Sequence, residues 1–368
     1  MPAGRPYSER CDRSHRLSGE LVTASGQRDQ PASIRDVARL AGVSHQTVSR
    51  VINNHPSLRP ETRRKVEQAI EQLHYRPNRI ARALGTRRSG TIGVVASQRT
   101  QYGPGAAVVG IEEAARKVGY LVNTTNLISA DPEEIRAALS AQADYRVDGI
   151  VIIAPQQRVL HALDELALDL PYVLLHSRAN DDPHEVFVDQ LAGARAATRH
   201  LIDLGHRDIY HLAGPQEWLE ADARMQGFLL ELSDADLSAT APILGDWTAD
   251  FGYRAGQQLA WQGDLTALFA SNDQMALGAI HAFRDAGWDV PGRISVVGFD
   301  DVPEARHFWP PLTTVRQDFA ELGRRCVTRL LALSDPPAEP AEPTRPPAGE
   351  SLLPYLVIRE STAPPPPS

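Results

Sequence analysis

Ser33-Ile34-Arg35-Asp36-Val37-Ala38-Arg39-Leu40-Ala41-Gly42-Val43-Ser44-His45-Gln46-Thr47-Val48-Ser49-Arg50-Val51-Ile52-Asn53 reads as two short helices and the turn between them. Ser33 can cap a helix and Asp36 stands three residues on, the spacing of a capping box. Ile34, Val37, Ala38 and Ala41 then fall on one face, and Gly42 ends the helix. Ser44 can cap a second helix whose Val48, Val51 and Ile52 face inward, leaving His45, Gln46, Thr47, Ser49 and Arg50 outward. Two helices joined by Gly42-Val43-Ser44 make a helix-turn-helix. Pro60 suits the first position of a third helix, with Val66, Ala69, Ile70 and Leu73 as its apolar stripe. After Pro77, Asn78–Leu84 is helical in pattern but too short and too rich in arginine to stand alone.

This module differs in charge from the rest of the 368 residues, whose formal net charge is −8. Ser33 to Arg88 holds 12 lysines and arginines against 4 acids, a balance of +8; residues 1–32 contribute +1 and the remainder −17. A small basic module is attached to a large acidic one. No apolar run approaches the roughly 20 residues of a membrane helix. Cys11 and Cys326 are too few for a disulfide framework or a thiolate metal site, and fit a reducing compartment, the cytoplasm. Residues 1–32 lack an apolar signal segment and a periodic pattern, so they are expected to be a disordered extension and not an export signal.

From Thr91 the period changes. Ile92–Ala96, Gly149–Ile153 and Ile294–Gly298 are short apolar runs of the kind found in buried parallel strands, and helical segments lie between them at Val108–Val118, Glu133–Asp144, Ala192–Leu204 and Asp273–Ala286. The alternation predicts an α/β fold with parallel sheets. Residues 334–350 are rich in proline and read as a surface loop before a last strand, Leu352–Ile358. Residues 361–368 hold four prolines and no heptad pattern, predicting a disordered tail without a coiled coil.

On the Ser33–Asn53 stretch the chain resembles the lactose-repressor/galactose-repressor (LacI/GalR) family. The resemblance continues through Tyr75–Leu84, similar to that family's hinge helix, Leu204-Gly205-His206-Arg207, Ile294–Asp301 and Pro310–Val315. Gly245-Asp246-Trp247, Asn272–Ala279 and Gln317-Asp318-Phe319 are similar to the lactose-type branch of the family. It implies a helix-turn-helix domain at 33–90 with a hinge helix at 78–84, then a two-subdomain α/β core at 91–360 resembling periplasmic binding proteins. The amino-terminal subdomain would take about 92–188 and 317–333, and the carboxy-terminal one about 189–316 and 352–360. It also implies a homodimer on double-stranded, inverted-repeat operator DNA, with a small effector in the core.

By position, the resemblance gives His45, Gln46 and Arg50 to base edges and Ser44, Thr47, Ser49, Asn53 and Thr62 to phosphates. Asn78, Ala81 and Leu84 come to the hinge contacts, with Leu84 the apolar wedge in the minor groove. Arg59 replaces a capping serine or threonine before Pro60, at a cost of about 1 kcal/mol. In the core, Ser97 would belong to the effector site, Arg224, Asn272 and Asp300 would bond ligand hydroxyls, Trp247 would stack on a sugar face or simply pack, and Phe319 would wall the pocket. Two departures leave the ligand open: His176 stands where a carboxylate is expected, and Gln101-Tyr102-Gly103 replaces a small apolar run. His176 either meets a hydroxyl or fills the core.

No nucleophile elbow, phosphate loop or dinucleotide fingerprint occurs, and His206 with His211 lacks a metal-ligating set. The expectation is therefore not an enzyme, with no cofactor and no metal. It is a transcriptional repressor of carbohydrate use released by a sugar inducer, with a purine-repressor-like corepressor response as the alternative. A sugar-binding protein without a DNA role would have no use for the basic module.

Overall fold

The computed structural model describes residues 32–52, 58–75, 88–129, 131–164, 168–176, 182–263, 265–334 and 350–367. The expected hinge helix 78–84, nearly all of the extension 1–32 and most of the loop 334–350 lie outside them. The chain divides into two compact units, Met1–Asn78 and Arg79–Ser368.

In the first unit, α1 (Ile34–Ala41) begins at the expected capping box: the Asp36 N–H donates to Ser33 Oγ at 3.4 Å and the Ser33 N–H to Asp36 Oδ2 at 3.0 Å. Gly42, at φ +65°, ends it. In α2 (His45–Ile52) the Thr47 N–H donates to Ser44 Oγ at 3.1 Å. α3 (Pro60–Gln72) starts at Arg59 with no side-chain cap. Val37, Ala38, Val48, Val51, Val66 and Ala69 close the small core.

The second unit holds two six-stranded sheets. The first is built from β1 (Thr91–Ser97), β2 (Leu121–Leu127), β3 (Gly149–Ile153), β4 (Tyr172–Leu175), β5 (Glu185–Val188) and β11 (Glu350–Leu352), in the order β11-β5-β4-β3-β1-β2. All its pairings are parallel. α4 (Tyr102–Lys117), α5 (Pro132–Asp144), α6 (Gln157–Asp164) and α11 (Phe319–Ser334) belong to this lobe. The second sheet joins β6 (Ile209–Ala213), β7 (Ile243–Leu244), β8 (Ala267–Ala270), β9 (Ser295–Asp300), β10 (Thr313–Arg316) and β12 (Tyr355–Val357), in the order β12-β10-β9-β8-β6-β7. Its helices are α7 (Gln190–Asp203), α8 (Leu219–Asp234), α9 (Ala249–Gln262) and α10 (Asp273–Asp285).

Three crossovers join the lobes, at 188–190, 316–319 and 352–355. α4 and α11 meet backbone to backbone, since a Cβ on Gly110 would lie 2.1 Å from the Phe319 carbonyl oxygen and one on Gly323 2.1 Å from the Gly110 carbonyl carbon.

Three expectations are corrected. The single last strand Leu352–Ile358 is two strands: Glu350–Leu352 runs parallel to β5 in the first sheet, and Tyr355–Val357 runs antiparallel to β10 in the second. Pro354, which cannot donate to a ladder, separates them, so Leu352 belongs with the first lobe. The expected disordered tail is anchored: Ser361 is fully buried, donating to the Val296 carbonyl at 2.6 Å and accepting from the Thr313 N–H at 2.8 Å. Ala363 accepts from His206 at 2.9 Å. Third, the helix expected at Val108–Val118 begins at Tyr102, because Pro104 in a first turn forfeits no helical hydrogen bond.

Candidate functional site

α2 is held from below by buried Val48 and Val51 and presents His45, Gln46 and Arg50 to solvent. Ser44 is also exposed, while Thr47 and Ser49 are half-buried, the Ser44 and Thr47 hydroxyls lying 3.0 Å apart. Thr62 is half-buried in the first turn of α3. A rigid helix carrying an amide and a guanidinium outward has the donors and acceptors that base edges require. Asn53, Asn78, Ala81 and Leu84 lie outside the described residues.

The second unit has a cleft between its lobes, reached by the carboxyl ends of strands from both sheets, where open α/β sheets bind ligands. About 650 Å³ lies between its walls, solvent at the mouth included, which suits a small organic molecule. One lip is tied across the lobes: the Leu219 N–H donates to the Pro155 carbonyl at 2.8 Å and Arg158 pairs with Glu217 at 2.7 Å. Tyr102, from α4, packs edge-on against Phe319 at 5.8 Å and also against the apolar cluster of the second lobe. Burial and the Asp300 charge push its hydroxyl up to about 12, so it stays protonated.

Arg224 is the hub of the wall. Its Nε donates to Gln190 Oε1 at 2.8 Å, one terminal nitrogen donates to the Ser271 carbonyl, and the other lies 3.3 Å from Asp300 Oδ1. Gln190 donates in turn to Gln317 Oε1, and Gln317 to Asp300 Oδ1, each at 2.7 Å. The four side chains form a closed ring. The guanidinium also lies over the Phe299 ring, 3.8 Å from its centroid.

Asp300 ends β9 at φ +108°, a left-handed conformation that only surrounding contacts can hold. Burial pushes its carboxyl up to about 6 against the opposing pull of Arg224 and Gln317. Trp247, at φ +70°, packs edge-on against Trp218 at 5.5 Å. A Cβ on Gly214 would lie 2.2 Å from its ring.

Of the residues expected at the effector site, His176, Arg224, Trp247, Asn272, Asp300 and Phe319 line this cleft together. Ser97 is not among the described residues of its wall; it is 2% exposed at the end of β1, its hydroxyl without a partner among the described residues. Asn272 is largely committed, capping α10 through the Met275 N–H at 2.9 Å and donating to the Trp247 carbonyl at 3.0 Å. His176 Nε2 lies 3.1 Å from Glu185 Oε1, both buried, so a carboxylate is present one layer behind the position where sequence reading found none.

Sequence reading did not place Glu185, Gln190, Trp218, Glu220 or Gln317 in the site. The one available signal was chemical: Glu185 is a charge at the head of an apolar strand, Gln317 is an amide directly after a strand, and Gln190 is an amide at the start of the helix that follows one. Among the described residues no group of three or more His, Cys, Asp or Glu is placed to hold a metal ion, and no helix is long and apolar enough to cross a membrane.

Residues 33–78 match the family model for bacterial regulatory proteins of the lacI family, and residues 198–362 match that for a periplasmic binding protein-like domain. The chain is 35% identical to the lactose operon repressor of Escherichia coli (strain K12) over 335 residues, covering 90% of this chain and 91% of that one. It is 36% identical to the HTH-type transcriptional repressor PurR of Klebsiella pneumoniae (strain 342) over 307 residues, covering 82% and 89%. Among solved structures it resembles the lac repressor dimer bound to operator and the anti-inducer ONPF, with TM-score 0.77 and 34% identity over 91% of this chain and 100% of that one. It also resembles the complex of the transcriptional regulator CelR with cellobiose, with TM-score 0.65 and 31% identity over 90% and 99%.

Proposed function

The chain belongs to the lacI family of bacterial regulatory proteins and is a DNA-binding transcriptional repressor, and we propose that a carbohydrate bound in its cleft releases it from an inverted-repeat operator. In this reading it grips the operator as a homodimer in the cytoplasm, and the cleft binds its ligand without turning it over. His45, Gln46 and Arg50 read base edges in the major groove, while Ser44, Thr47, Ser49, Asn53 and Thr62 hold phosphates. Asn78, Ala81 and Leu84 approach the minor groove, with Leu84 as the wedge. The effector rests among His176, Arg224, Trp247, Asn272, Asp300 and Phe319.

The observation that carries this reading is the ring of Arg224, Gln190, Gln317 and Asp300. Two of its members, Gln190 and Gln317, lie in crossovers between the lobes, so a hydroxyl that engages Arg224 or Asp300 pulls on side chains seated at both hinges. A ligand shifts the lobes only by its differential affinity for the two arrangements, and DNA selects between the same two. Similarity to PurR supports a second reading in which ligand strengthens DNA binding. The basic test is selection from random-sequence DNA. Bound sequences are expected to be inverted repeats, held with a steep salt dependence and released by a sugar. Retention without sequence preference would overturn the reading.

A further inference from the structure

We infer that Asp148 is a positioning residue for operator binding: its carboxylate clasps the chain at Ser89 and Gly90, where it enters the core from the DNA-binding side, and three elements join that clasp to the cleft. The inference rests on the reading of the protein as a homodimer that a cleft ligand releases from its operator. Both Asp148 oxygens are engaged. Oδ1 accepts from the Ser89 N–H at 2.7 Å and from the Ser89 hydroxyl at 3.0 Å, and Oδ2 accepts from the Gly90 N–H at 2.9 Å. Successive N–H groups converge on one anion only through a left-handed step, which Gly90 takes at φ +67°. The Ser89 hydroxyl accepts in turn from the Thr91 N–H at 3.1 Å, and the Asp148 N–H donates to the Thr91 carbonyl at 2.8 Å. An amide at this position would turn its NH2 group toward one of the donors.

Three elements run from this clasp to the cleft. β3 starts beside Asp148 at Gly149 and ends at Ile153 on the cleft lining. β1 starts at Thr91 and leads to Gln101 and Tyr102 on the same lining. α11 starts at Phe319 on the lining, two residues after Gln317 of the ring, and ends at Ser334, whose hydroxyl lies 3.2 Å from the Asp148 carbonyl. Its 16 residues make a rod about 24 Å long. The rod is seated firmly at the clasp, since a Cβ on Gly149 would lie 2.8 Å from Leu330 Cδ1, and Arg88 reaches the Ser334 carbonyl at 3.5 Å. Packed interiors transmit displacement with little compression. A shift of Gln317 or Phe319 at the cleft therefore moves Ser334 and Asp148, and with them Ser89 and Gly90.

Asp148 is half-buried and belongs to no apolar cluster of its lobe, so its removal leaves the cleft walls in place. Its effect on DNA works through effective concentration. Once one half-site of an inverted repeat is held, the second helix-turn-helix of the dimer finds its own half-site intramolecularly, and more readily the more closely its connection is held. A single half-site gains nothing from the clasp.

The test compares the full chain with Asp148→Ala, Asp148→Asn and Ser89→Ala. The DNA probes are an inverted-repeat duplex selected from random sequence and a duplex carrying one of its half-sites; the sugar probe is the tighter-binding of lactose and cellobiose. Asp148→Ala is expected to lower affinity for the intact repeat at least about tenfold while half-site affinity stays level. The factor by which sugar weakens operator binding is expected to fall from at least about tenfold to below about threefold, with the sugar affinity of the DNA-free protein unchanged. Asp148→Asn keeps one acceptor and Ser89→Ala keeps both backbone bonds, so each is expected to lie between, and Ser89→Ala reads the clasp even where Asp148→Ala does not fold. A ratio of intact to half-site affinity unmoved in every folded variant overturns the inference. So does an equal loss of affinity for both duplexes or a loss of sugar affinity, either of which makes Asp148 a support of the fold alone. A ratio that falls while the sugar factor holds overturns the path to the cleft. Failure of both sugars to bind overturns the effector reading, and the ratio of duplex affinities then decides by itself whether Asp148 positions the chain for operator binding.

Discussion

Gln190 and Gln317 are 127 residues apart in the chain and share a hydrogen bond of 2.7 Å on the wall of the cleft. Each follows a strand that leaves one lobe for the other, so this bond joins two hinges directly. Through Arg224 and Asp300 it also joins them to the ligand space. Replacing Gln317 with Leu leaves a buried Gln190 donor and the Asp300 carboxylate each short of a partner. The expected cost is about 1–3 kcal/mol in stability, with sugar affinity falling at least tenfold, read by denaturant unfolding and calorimetry.

Asp300→Asn is expected to keep operator binding and lose the response to inducer, since the carboxylate that anchors the ring and faces the cleft is gone. A gel-shift titration with sugar reads this. In the unsubstituted protein, sugar affinity is expected to weaken as pH falls through about 6, where Asp300 takes up its proton. Asp300→Asn flattens that step.

His211 lies between Phe228 at 4.8 Å and Phe269 at 4.7 Å, and full burial pushes its pKa down to about 4. Its ordinary value is 6.5. The unfolded chain therefore binds the proton first as pH falls, and stability present above 6.5 is lost progressively toward 4. At pH 5 the loss is about 2 kcal/mol. Asp300, with a raised pKa, works in the opposite sense, gaining stability over about the same interval. Comparing pH 7 with pH 5 for His211→Gln and the unsubstituted chain isolates the histidine: the change in unfolding free energy from pH 7 to pH 5 is about 2 kcal/mol more favourable in the variant, which keeps only the opposing contribution of Asp300.

Much of this was legible in the chain. The caps at Ser33 and Ser44, the stop at Gly42 and the apolar faces of α1 and α2 are local, so sequence and structure agree residue by residue. The parallel strands announced themselves as apolar runs. What escaped was decided at long range. Ser361 has no local reason for order, yet its hydroxyl bridges Val296 and Thr313. Pro354 looks like an interruption within one strand until two sheets claim its two sides. The ring of Gln190, Gln317, Arg224 and Asp300 has no spacing signature, because each member comes from a different element.

Gly323→Ala tests the backbone contact between α4 and α11. The added methyl would lie 2.1 Å from the Gly110 carbonyl carbon, a rigid neighbour that can yield only if the helices separate. The expected loss is at least about 3 kcal/mol, the upper end for overpacking, measured by chemical denaturation, whereas Gly42→Ala meets open space and strains only its own φ of +65°.

The central claim is that operator and sugar favour different arrangements of one protein. The direct measurement is sugar affinity by calorimetry on free protein and on protein saturated with operator. Linkage requires that the factor by which sugar weakens operator binding equals the factor by which operator weakens sugar binding. The account predicts sugar affinity at least tenfold lower on the operator complex. Equal affinities in the two states would contradict it, and tighter binding on the operator complex would establish the corepressor response in its place.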